Sequence, residues 1–186
     1  MHTRRSIVQT TAVEVIMPTE TTLQEIITLR AYCDEDWPAV RNIHDQARPY
    51  ELEGSCNPNA FIPLADDPGD LETFHGAEKF VACIGRQIVG FVGIDDTFLS
   101  WLYVDPDYFG YGIGRELLNL ALDLTGPRGW TVVLDGNIRA RKLYENAGFQ
   151  IIHTFASTNA GYPCNCLELA LNPQLHQQPQ PNIQAA

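Results

Sequence analysis

The stretch VDPDYFGYGIGR, residues 104–115, decides the fold of this chain, because it joins the end of a strand to a helix through a glycine-rich turn. The run FLSWLYV before it, residues 98–104, is apolar and aromatic, as in a buried strand, and residues 116–122 after it carry helical periodicity. The three alternate glycines of the turn permit backbone conformations closed to other residues and let a ligand approach bare amides. Unpaired amides at a helix N-terminus favour phosphate. The stretch therefore predicts a pyrophosphate cradle.

The spacing of the glycines excludes two common phosphate loops. No Lys-Ser or Lys-Thr follows them, as a nucleoside-triphosphate loop would require, and Gly110-x-Gly112-x-Gly114 is not the G-x-G-x-x-G of dinucleotide binders. A tight connection that needs glycine only for its own geometry is the structural alternative. The turn taken alone leaves both interpretations open.

A second stretch, NIRARKLYENAGF at residues 137–149, predicts a helix of about three turns. It begins with a good N-cap residue, Asn137, and has Gly148 where helices commonly stop. Asn137, Ala140 and Tyr144 are spaced i, i+3 and i+7, so they share one face of this helix. Tyr144 is either a packing tyrosine or a hydroxyl that lines a site.

In this order and about thirty residues apart, the two stretches resemble the GNAT superfamily of acyl-CoA-dependent N-acetyltransferases. The first is similar to that family's coenzyme A loop, and the second to its N-x-x-A-x-x-x-Y-x-x-x-G-F segment. The resemblance implies an α/β fold with a mixed, mostly antiparallel central sheet of about six to seven strands and helices on both faces.

Three parts follow along the chain. Residues 1–24 lack a long periodic pattern, and we expect a flexible N-terminal extension there. Residues 25–171 are covered by the resemblance and are expected to form the N-acetyltransferase domain. Residues 172–186 are rich in Gln and Pro, which predicts a disordered tail.

The resemblance also implies a site for acetyl-CoA as co-substrate, with no metal. The pyrophosphate would rest on the amides of residues 109–115, and the pantetheine arm would lie where the fourth and fifth strands splay apart. The thioester carbonyl would accept a hydrogen bond from a strand amide near Leu102 or Tyr103. Tyr144 would be the catalytic residue, an exposed phenol with a pKa near 10 that protonates the leaving thiolate. The implied coenzyme-binding residues are Leu102, Tyr103, Val104, Phe109, Gly110, Tyr111, Gly112, Ile113, Gly114, Arg115, Asn137, Ala140 and Tyr144.

Two positions of the loop depart from the family's pattern. Phe109 stands where the family usually has Arg or Gln, and Tyr111 stands where it often has a basic residue. Less charge attraction is then available for the coenzyme phosphates, although Arg115 could reach one of them. The other local basic residues are expected to form a solvated helix face: Arg139, Arg141 and Lys142.

The sequence does not identify the general base. The family often uses a Glu or His on the strand before the loop, but Phe98, Ser100 and Leu102 occupy the matching positions. A water held by the Ser100 hydroxyl or by backbone carbonyls is one alternative. The titratable candidates are His44, Glu51, Glu53, His75, Asp95 and Asp96. An aromatic lining for the acceptor is expected from Tyr50, Trp101, Tyr103 and Tyr111.

Composition limits the location and the partners. The 186 residues are 45% hydrophobic, enough for one domain with a substantial core. A formal net charge of -11 disfavours nucleic acid and anionic membranes and favours a cationic amine, on a small molecule or a peptide, as acceptor. No apolar run approaches the ~18 residues of a membrane span. Five cysteines without a C-x-x-C pair indicate reduced thiols and a cytoplasmic location.

Two functions from different classes are compatible with these observations. The first is an enzyme that moves an acetyl or other short acyl group from acetyl-CoA to an amino group. The second is a non-catalytic acyl-CoA-binding regulatory module, which Phe109 and the missing base would suit. A homodimer is left open in both.

The other elements follow from periodicity and from turn residues. We expect a first strand at 26–32, a helix capped by Asp34, and a long loop that includes a short helix or none over residues 47–76. Next come a hairpin of strands 79–84 and 88–94, the strand 98–104, a helix to about residue 124, a short parallel strand at 131–135, and a final hairpin of strands 149–155 and 164–171.

Overall fold

The computed structural model describes residues 27–176. The predicted N-terminal extension at 1–24 and the tail from residue 177 onward lie outside the described residues. Residues 172–176 continue from the last strand with a 3-10 turn, Pro173–Leu175, and His176 Nε2 lies 2.5 Å from Glu168 Oε1. Within the described part, no helix is long and apolar enough to cross a bilayer.

Seven strands form one sheet in the order β1-β2-β3-β4-β5-β7-β6. They are β1 (Ile27–Ala31), β2 (Glu78–Ile84), β3 (Gln87–Asp95), β4 (Phe98–Val104), β5 (Trp130–Leu134), β6 (Gln150–Asn159) and β7 (Tyr162–Ala170). Every neighbouring pair is antiparallel except β4 and β5, which are parallel. The predicted mixed, mostly antiparallel sheet is therefore confirmed.

Four α-helices of the described region cover the two faces of this sheet. They are α1 (Trp37–Leu52), α2 (Pro68–Gly76), α3 (Ile113–Thr125) and α4 (Ile138–Asn146). On one face, Ile43 of α1 and Phe74 of α2 pack with Phe91 and Trp101 of the sheet. On the other, the buried stripe of α3 packs with β2, β3 and β4, and Tyr144 of α4 joins the same cluster. Helices on both faces agree with the expected architecture.

The start of the first helix differs from the prediction. Asp34 does not cap an α-helix; it begins a 3-10 turn, Asp34–Asp36, and α1 starts at Trp37. The cause is the Asp36 carboxylate, which accepts hydrogen bonds from the Arg30 guanidinium at 2.6 and 2.8 Å and from the Cys33 amide at 3.0 Å. These contacts turn the chain tightly between β1 and α1.

The expected long loop over residues 47–76 is also wrong in its extent. Helix α1 continues through Pro49 to Leu52, because Ala47, Arg48 and Leu52 are buried and this packing offsets the proline. Helix α2 occupies the end of the segment, capped by Asp67, whose carboxylate accepts from the amides of Gly69 and Asp70. Only the part between the two helices is irregular.

Strands β4 and β5 part almost as soon as they meet. Their ladder consists of one pair, Phe98 with Trp130, and beyond it the facing backbone edges have no strand partner. Next to this pair, one side chain bridges the two strands: Thr131 Oγ1 donates a hydrogen bond to the carbonyl of Leu99 at 2.9 Å. On its other edge β4 carries a bulge: Gly93 pairs with Trp101 and Ile94 with Leu99, which leaves Ser100 without a partner. The sheet is therefore open at its centre.

Candidate active site

A cleft of about 1990 Å³ opens where β4 and β5 part. Its walls come from these strands, from the loop before α3, from α4, and across the cleft from α1 and α2. The predicted coenzyme residues that line it are Leu102, Tyr103, Val104, Phe109, Gly110, Gly112, Ile113, Gly114, Arg115, Asn137, Ala140 and Tyr144. Tyr111 is half-buried, and its ring packs against Tyr108 with centroids 6.5 Å apart.

The glycine-rich loop places a row of amides at one wall of the cleft. Gly110 (φ +87°) and Gly112 (φ +85°) are in the left-handed region, and Gly112 is the N-cap of α3. A side chain there would be strained by about 1–2 kcal/mol, which is why glycine is needed. Within residues 27–176, the loop amides that donate to no backbone carbonyl are those of Gly110, Gly112, Ile113 and Gly114.

The sequence predicts that all the backbone amides from 109 to 115 face the pyrophosphate. In the structure, three of these amides already donate to backbone carbonyls of the loop. The amide of Phe109 donates to Pro106 O at 3.2 Å, that of Tyr111 makes a long contact of 3.5 Å with Tyr108 O, and that of Arg115 donates to Gly112 O at 3.0 Å. The turns that shape the loop use these three donors. A smaller set of amides, centred on the N-terminus of α3, remains for an anion.

Helix α4 forms the facing wall. The Asn137 side chain accepts a hydrogen bond from the amide of Ala140 at 3.1 Å, so it caps the helix as expected. Tyr144 lies on the same face of the helix, seven residues after Asn137. It is not the exposed phenol that the sequence predicts. It is only 3% exposed and packs edge-on against Phe149 at 5.2 Å. Burial raises the pKa of Tyr144 to about 12, against an opposing effect of the Thr131 hydroxyl.

A buried polar network lies across the cleft from Tyr144. Arg48 of α1 is 3% exposed, and its Nη1 lies 2.7 Å from Glu51 Oε2 and 3.3 Å from the Tyr103 hydroxyl. The Tyr103 hydroxyl in turn donates to Glu51 Oε2 at 2.5 Å. Burial, followed by the charge of Glu51, raises the pKa of Tyr103 well above its ordinary value. The network therefore holds a neutral phenol, a carboxylate and a guanidinium at the edge of β4.

Known proteins resemble this chain in sequence and in fold. Residues 75–151 match the family model described as an acetyltransferase (GNAT) domain. Over 84 residues the chain is 33% identical to the peptidyl-lysine N-acetyltransferase YjaB of Escherichia coli K12, a match that covers 45% of this chain and 56% of YjaB. The solution structure of apo YjaB superposes with a TM-score of 0.64 at 26% identity and covers 78% of this chain and 97% of that one. Residues 75–151 are therefore similar to the GNAT acetyltransferase domain, in agreement with the resemblance of the two sequence motifs.

Two further relatives extend the comparison. The [ribosomal protein bS18]-alanine N-acetyltransferase of E. coli K12 is 37% identical over 75 residues, which is 38% of this chain and 48% of that protein. The structure of yncA from Salmonella typhimurium, a putative acetyltransferase with its cofactor acetyl-CoA, has a TM-score of 0.60 at 18% identity, covering 83% of this chain and 98% of that one. The sequence matches span about half the length of the curated relatives.

Phe109, which replaces the Arg or Gln usual in the GNAT loop, has an arginine of α4 stacked on its ring. The guanidinium carbon of Arg139 lies 3.7 Å from the centroid of the Phe109 ring, and the Tyr50 ring meets the same ring edge-on at 5.6 Å. Arg139 is exposed, as predicted, but it also stacks on a ring of the glycine loop. Cation–π stacking holds this cation at the glycine loop, although it comes from α4. Because Arg139 is distant from the glycine loop in the sequence, neither motif predicts this contact.

The residues that the sequence offered as general bases differ in their position relative to the cleft. Glu51 lines the cleft but already accepts from Tyr103 and lies against Arg48. His44 is fully buried under the rings of Trp101 and Tyr103, and burial lowers its pKa. Glu53 and His75 are exposed outside the lining of the cleft, and Asp95 and Asp96 are exposed at its rim on the β3–β4 turn. The Ser100 hydroxyl donates to Gly93 O at 3.3 Å.

The expected aromatic lining is partly wrong. Trp101 is 1% exposed and belongs to the core beneath α1 and α2, because the bulge at Ser100 leaves its side chain on that face. Tyr103 lines the cleft through the network described above, and Tyr50 is half exposed beside Phe109.

Charge divides the cleft into two ends. The basic residues of its lining include Arg115, Arg139 and Lys142, near the glycine loop and α4. The acidic residues on the α1 and α2 side are Glu51, Asp67, Asp70 and Glu72. Within residues 27–176, no group of three or more His, Cys, Asp or Glu side chains is arranged to hold a metal ion. The cleft suits a molecule with anionic groups at one end and a reaction partner with a positive charge at the other.

Proposed function

We propose that this protein transfers an acetyl group, or another short acyl group, from acetyl-CoA to the amino group of a small molecule or a peptide. One observation carries the proposal: the gap between β4 and β5 leads to a row of unpaired amides at the N-terminus of α3. The named relatives support the reaction class, since they are N-acetyltransferases, one for peptidyl-lysine and one for the alanine of a ribosomal protein.

The coenzyme would lie along the gap, with its pyrophosphate on the amides of Gly110, Gly112, Ile113 and Gly114. The pantetheine amides would replace the missing strand partner of β4 and β5. Acetyl-CoA is bound in the structure of the Salmonella relative, whose fold this chain shares. The cleft-lining residues of the glycine loop, β4 and α4 are therefore proposed as the coenzyme site.

Transfer requires a neutral amine, a polarised thioester carbonyl and stabilisation of the leaving thiolate. A backbone amide of β4 near Leu102 or Tyr103 would donate to the carbonyl oxygen. Tyr144, with a pKa of about 12, keeps its proton over the whole working range of pH. A thiol with a pKa of about 8.5 is a stronger acid than this phenol. We therefore expect Tyr144 to stabilise the thiolate as a hydrogen-bond donor rather than to give up its proton completely.

The rival function is a non-catalytic acyl-CoA-binding module, favoured by the lack of a Glu or His on β4. Calorimetric titration with acetyl-CoA, coenzyme A and ATP, beside a free-thiol release assay over a panel of primary amines, separates the two. We expect binding of acetyl-CoA and amine-dependent thiol release. Binding without release on any amine would favour the module, and a protein that does not bind acetyl-CoA would refute both functions.

Arg139 supplies a prediction about coenzyme affinity. Arg139→Ala removes the cation that is stacked at the loop, and we expect the Kd for acetyl-CoA to rise about fivefold, equivalent to about 1 kcal/mol. The salt dependence of binding should become weaker at the same time. Calorimetry at two ionic strengths measures both effects.

Arg141→Ala is the matched control for Arg139. Arg141 lies on the same helix, its Nε is 2.9 Å from Glu145 Oε1, and it is outside the lining of the cleft. Its removal changes the net charge equally, so its Kd for acetyl-CoA should stay within twofold of the wild type. Equal effects of the two substitutions would mean that only overall charge matters and that the stacked cation has no special role.

A further inference from the structure

Asp70 is an acidic side chain of the cleft that makes no hydrogen bond or ion pair with the network around Arg48. It lies in the first turn of α2, where the Asp67 carboxylate holds its backbone amide at 3.2 Å. Its own carboxylate is half-buried at the wall of the cleft and accepts no hydrogen bond and no ion pair from residues 27–176. A partly desolvated carboxylate without a donor is an uncommon arrangement, because burial of a charge ordinarily requires a partner.

Three charged groups act on Asp70 from the elements around it. Glu51 and Arg48 face it from α1, and Asp67 precedes it at the helix cap. Burial is the largest influence and raises the pKa of Asp70 to about 6, the charge of Arg48 opposes this, and the two carboxylates add to it. At neutral pH the group is therefore ionised, yet it binds a proton more readily than an ordinary carboxylate.

The other acids and bases of the site are less suited to take a proton. Glu51 Oε2 already accepts a hydrogen bond from the Tyr103 hydroxyl at 2.5 Å and lies 2.7 Å from Arg48 Nη1. His44 is enclosed by rings at 0% exposure. Asp95 and Asp96 are solvated on the β3–β4 turn. Glu72 at the same end of the cleft is exposed, so Asp70 is the half-buried carboxylate there that accepts no hydrogen bond within residues 27–176.

We propose that Asp70 is the general base of the acetyl transfer and that the acidic end of the cleft takes the ammonium group of a primary amine. This inference rests on the proposed function. The ammonium gives one proton to the Asp70 carboxylate, and the neutral nitrogen then forms a C–N bond with the acetyl carbonyl carbon. When the tetrahedral intermediate collapses, the C–S bond breaks and the sulfur takes the electron pair beside Tyr144. The amide nitrogen loses its second proton, the thiolate takes up one proton, and Asp70 releases its proton to water.

The test compares Asp70→Asn with the wild type on an amine that the wild type accepts, over a range of pH. The substitution preserves shape and removes proton-accepting capacity. We expect kcat/KM at pH 7.5 to fall about 100-fold, the acid limb of the wild-type profile near pH 6 to disappear, and the Kd for acetyl-CoA to stay unchanged. Asp70→Glu, which keeps a carboxylate, should retain an acid limb and part of the rate. Asp66→Asn removes an exposed acid just before the same helix, outside the lining of the cleft, and is the matched control that should stay within twofold of the wild type.

Thermal unfolding of the same variants checks the environment of Asp70 without any turnover. Because folding raises the pKa of this acid, the ionised group destabilises the folded state above pH 6, and protonation relieves this cost as pH falls toward 4. Asp70→Asn should therefore melt higher than the wild type at pH 8, and the difference should vanish near pH 4. A lower melting temperature at pH 8 would contradict the placement of a desolvated charge.

The outcomes separate the two proposals. An active wild type whose Asp70→Asn variant keeps both its rate and its acid limb overturns the assignment of Asp70 and leaves the transferase intact. A wild type that binds acetyl-CoA but acetylates no amine overturns the transferase and this assignment together. Loss of rate in both Asp70→Asn and Asp70→Glu, with the acid limb retained in each, also overturns the assignment, because it would indicate a structural role.

Discussion

Tyr144→Phe is expected to lower the turnover of the protein about 100-fold while the Kd for acetyl-CoA changes less than twofold. The phenol is neutral up to a pH of about 12, and its loss removes the donor that we assign to the leaving sulfur without removing any contact to the phosphates. Steady-state kinetics with a free-thiol assay, together with calorimetry on the same preparation, measures both quantities. Because Tyr144 does not titrate below that pH, the alkaline side of the wild-type profile should show no limb from it.

Tyr32→Phe is the control for this substitution. Tyr32 packs against Phe74 with ring centroids 5.7 Å apart, beneath α2 and away from the residues that line the cleft. Its variant should retain wild-type turnover. Full activity in Tyr144→Phe would contradict the role assigned to its hydroxyl and leave Tyr144 as a packing residue of the α4 cluster.

Arg48→Met is expected to cause the largest loss of stability, about 3–5 kcal/mol in the free energy of unfolding. The substitution fills a similar volume but leaves the Glu51 carboxylate, whose side chain is 17% exposed, beside Tyr103 without the guanidinium at 2.7 Å. Denaturation in urea, followed by fluorescence at pH 7, measures the change. A loss of less than about 1 kcal/mol would mean that water replaces the cation and that the network is open to solvent.

Two further variants isolate the cause of this loss. Arg41 lies on the exposed face of the same helix. Arg41→Met should therefore change the free energy of unfolding by less than about 0.5 kcal/mol. Adding Glu51→Gln to Arg48→Met removes the stranded carboxylate, so the double variant should regain part of the lost stability. No recovery would indicate that Arg48 stabilises the protein through packing alone.

The elements that the sequence predicted well are those whose pattern is local. The strand 98–104 and the glycine turn after it are found at the predicted positions, because an apolar run followed by alternate glycines allows few other structures. The final hairpin is longer than predicted: β6 continues to Asn159 and β7 begins at Tyr162. Its polar tip pairs through the backbone, and hydrophobic periodicity carries no information about such pairing.

The site was less predictable because its polar groups come from distant parts of the chain. Arg48 and Glu51 are spaced i, i+3 on α1, a signal that the expectation of a loop at residues 47–76 obscured. The stacking of Arg139 on Phe109 joins α4 to the glycine loop and is invisible in either motif. Burial of Tyr144 likewise depends on Phe149 and on the sheet beneath it. The cytoplasmic location stays a prediction from cysteine content, and the homodimer stays an untested alternative to a monomer.

The proposed reaction of this cleft is the transfer of an acetyl group from acetyl-CoA to an amine. Mass spectrometry of the amine panel after incubation with acetyl-CoA and the wild-type protein tests it most directly, with Tyr144→Phe run in parallel. We predict a product that carries one added acetyl group, formed in equal amount to the released coenzyme A and about 100-fold more slowly by Tyr144→Phe. Tight binding of acetyl-CoA with no acetylated product from any amine would contradict the proposed transfer reaction.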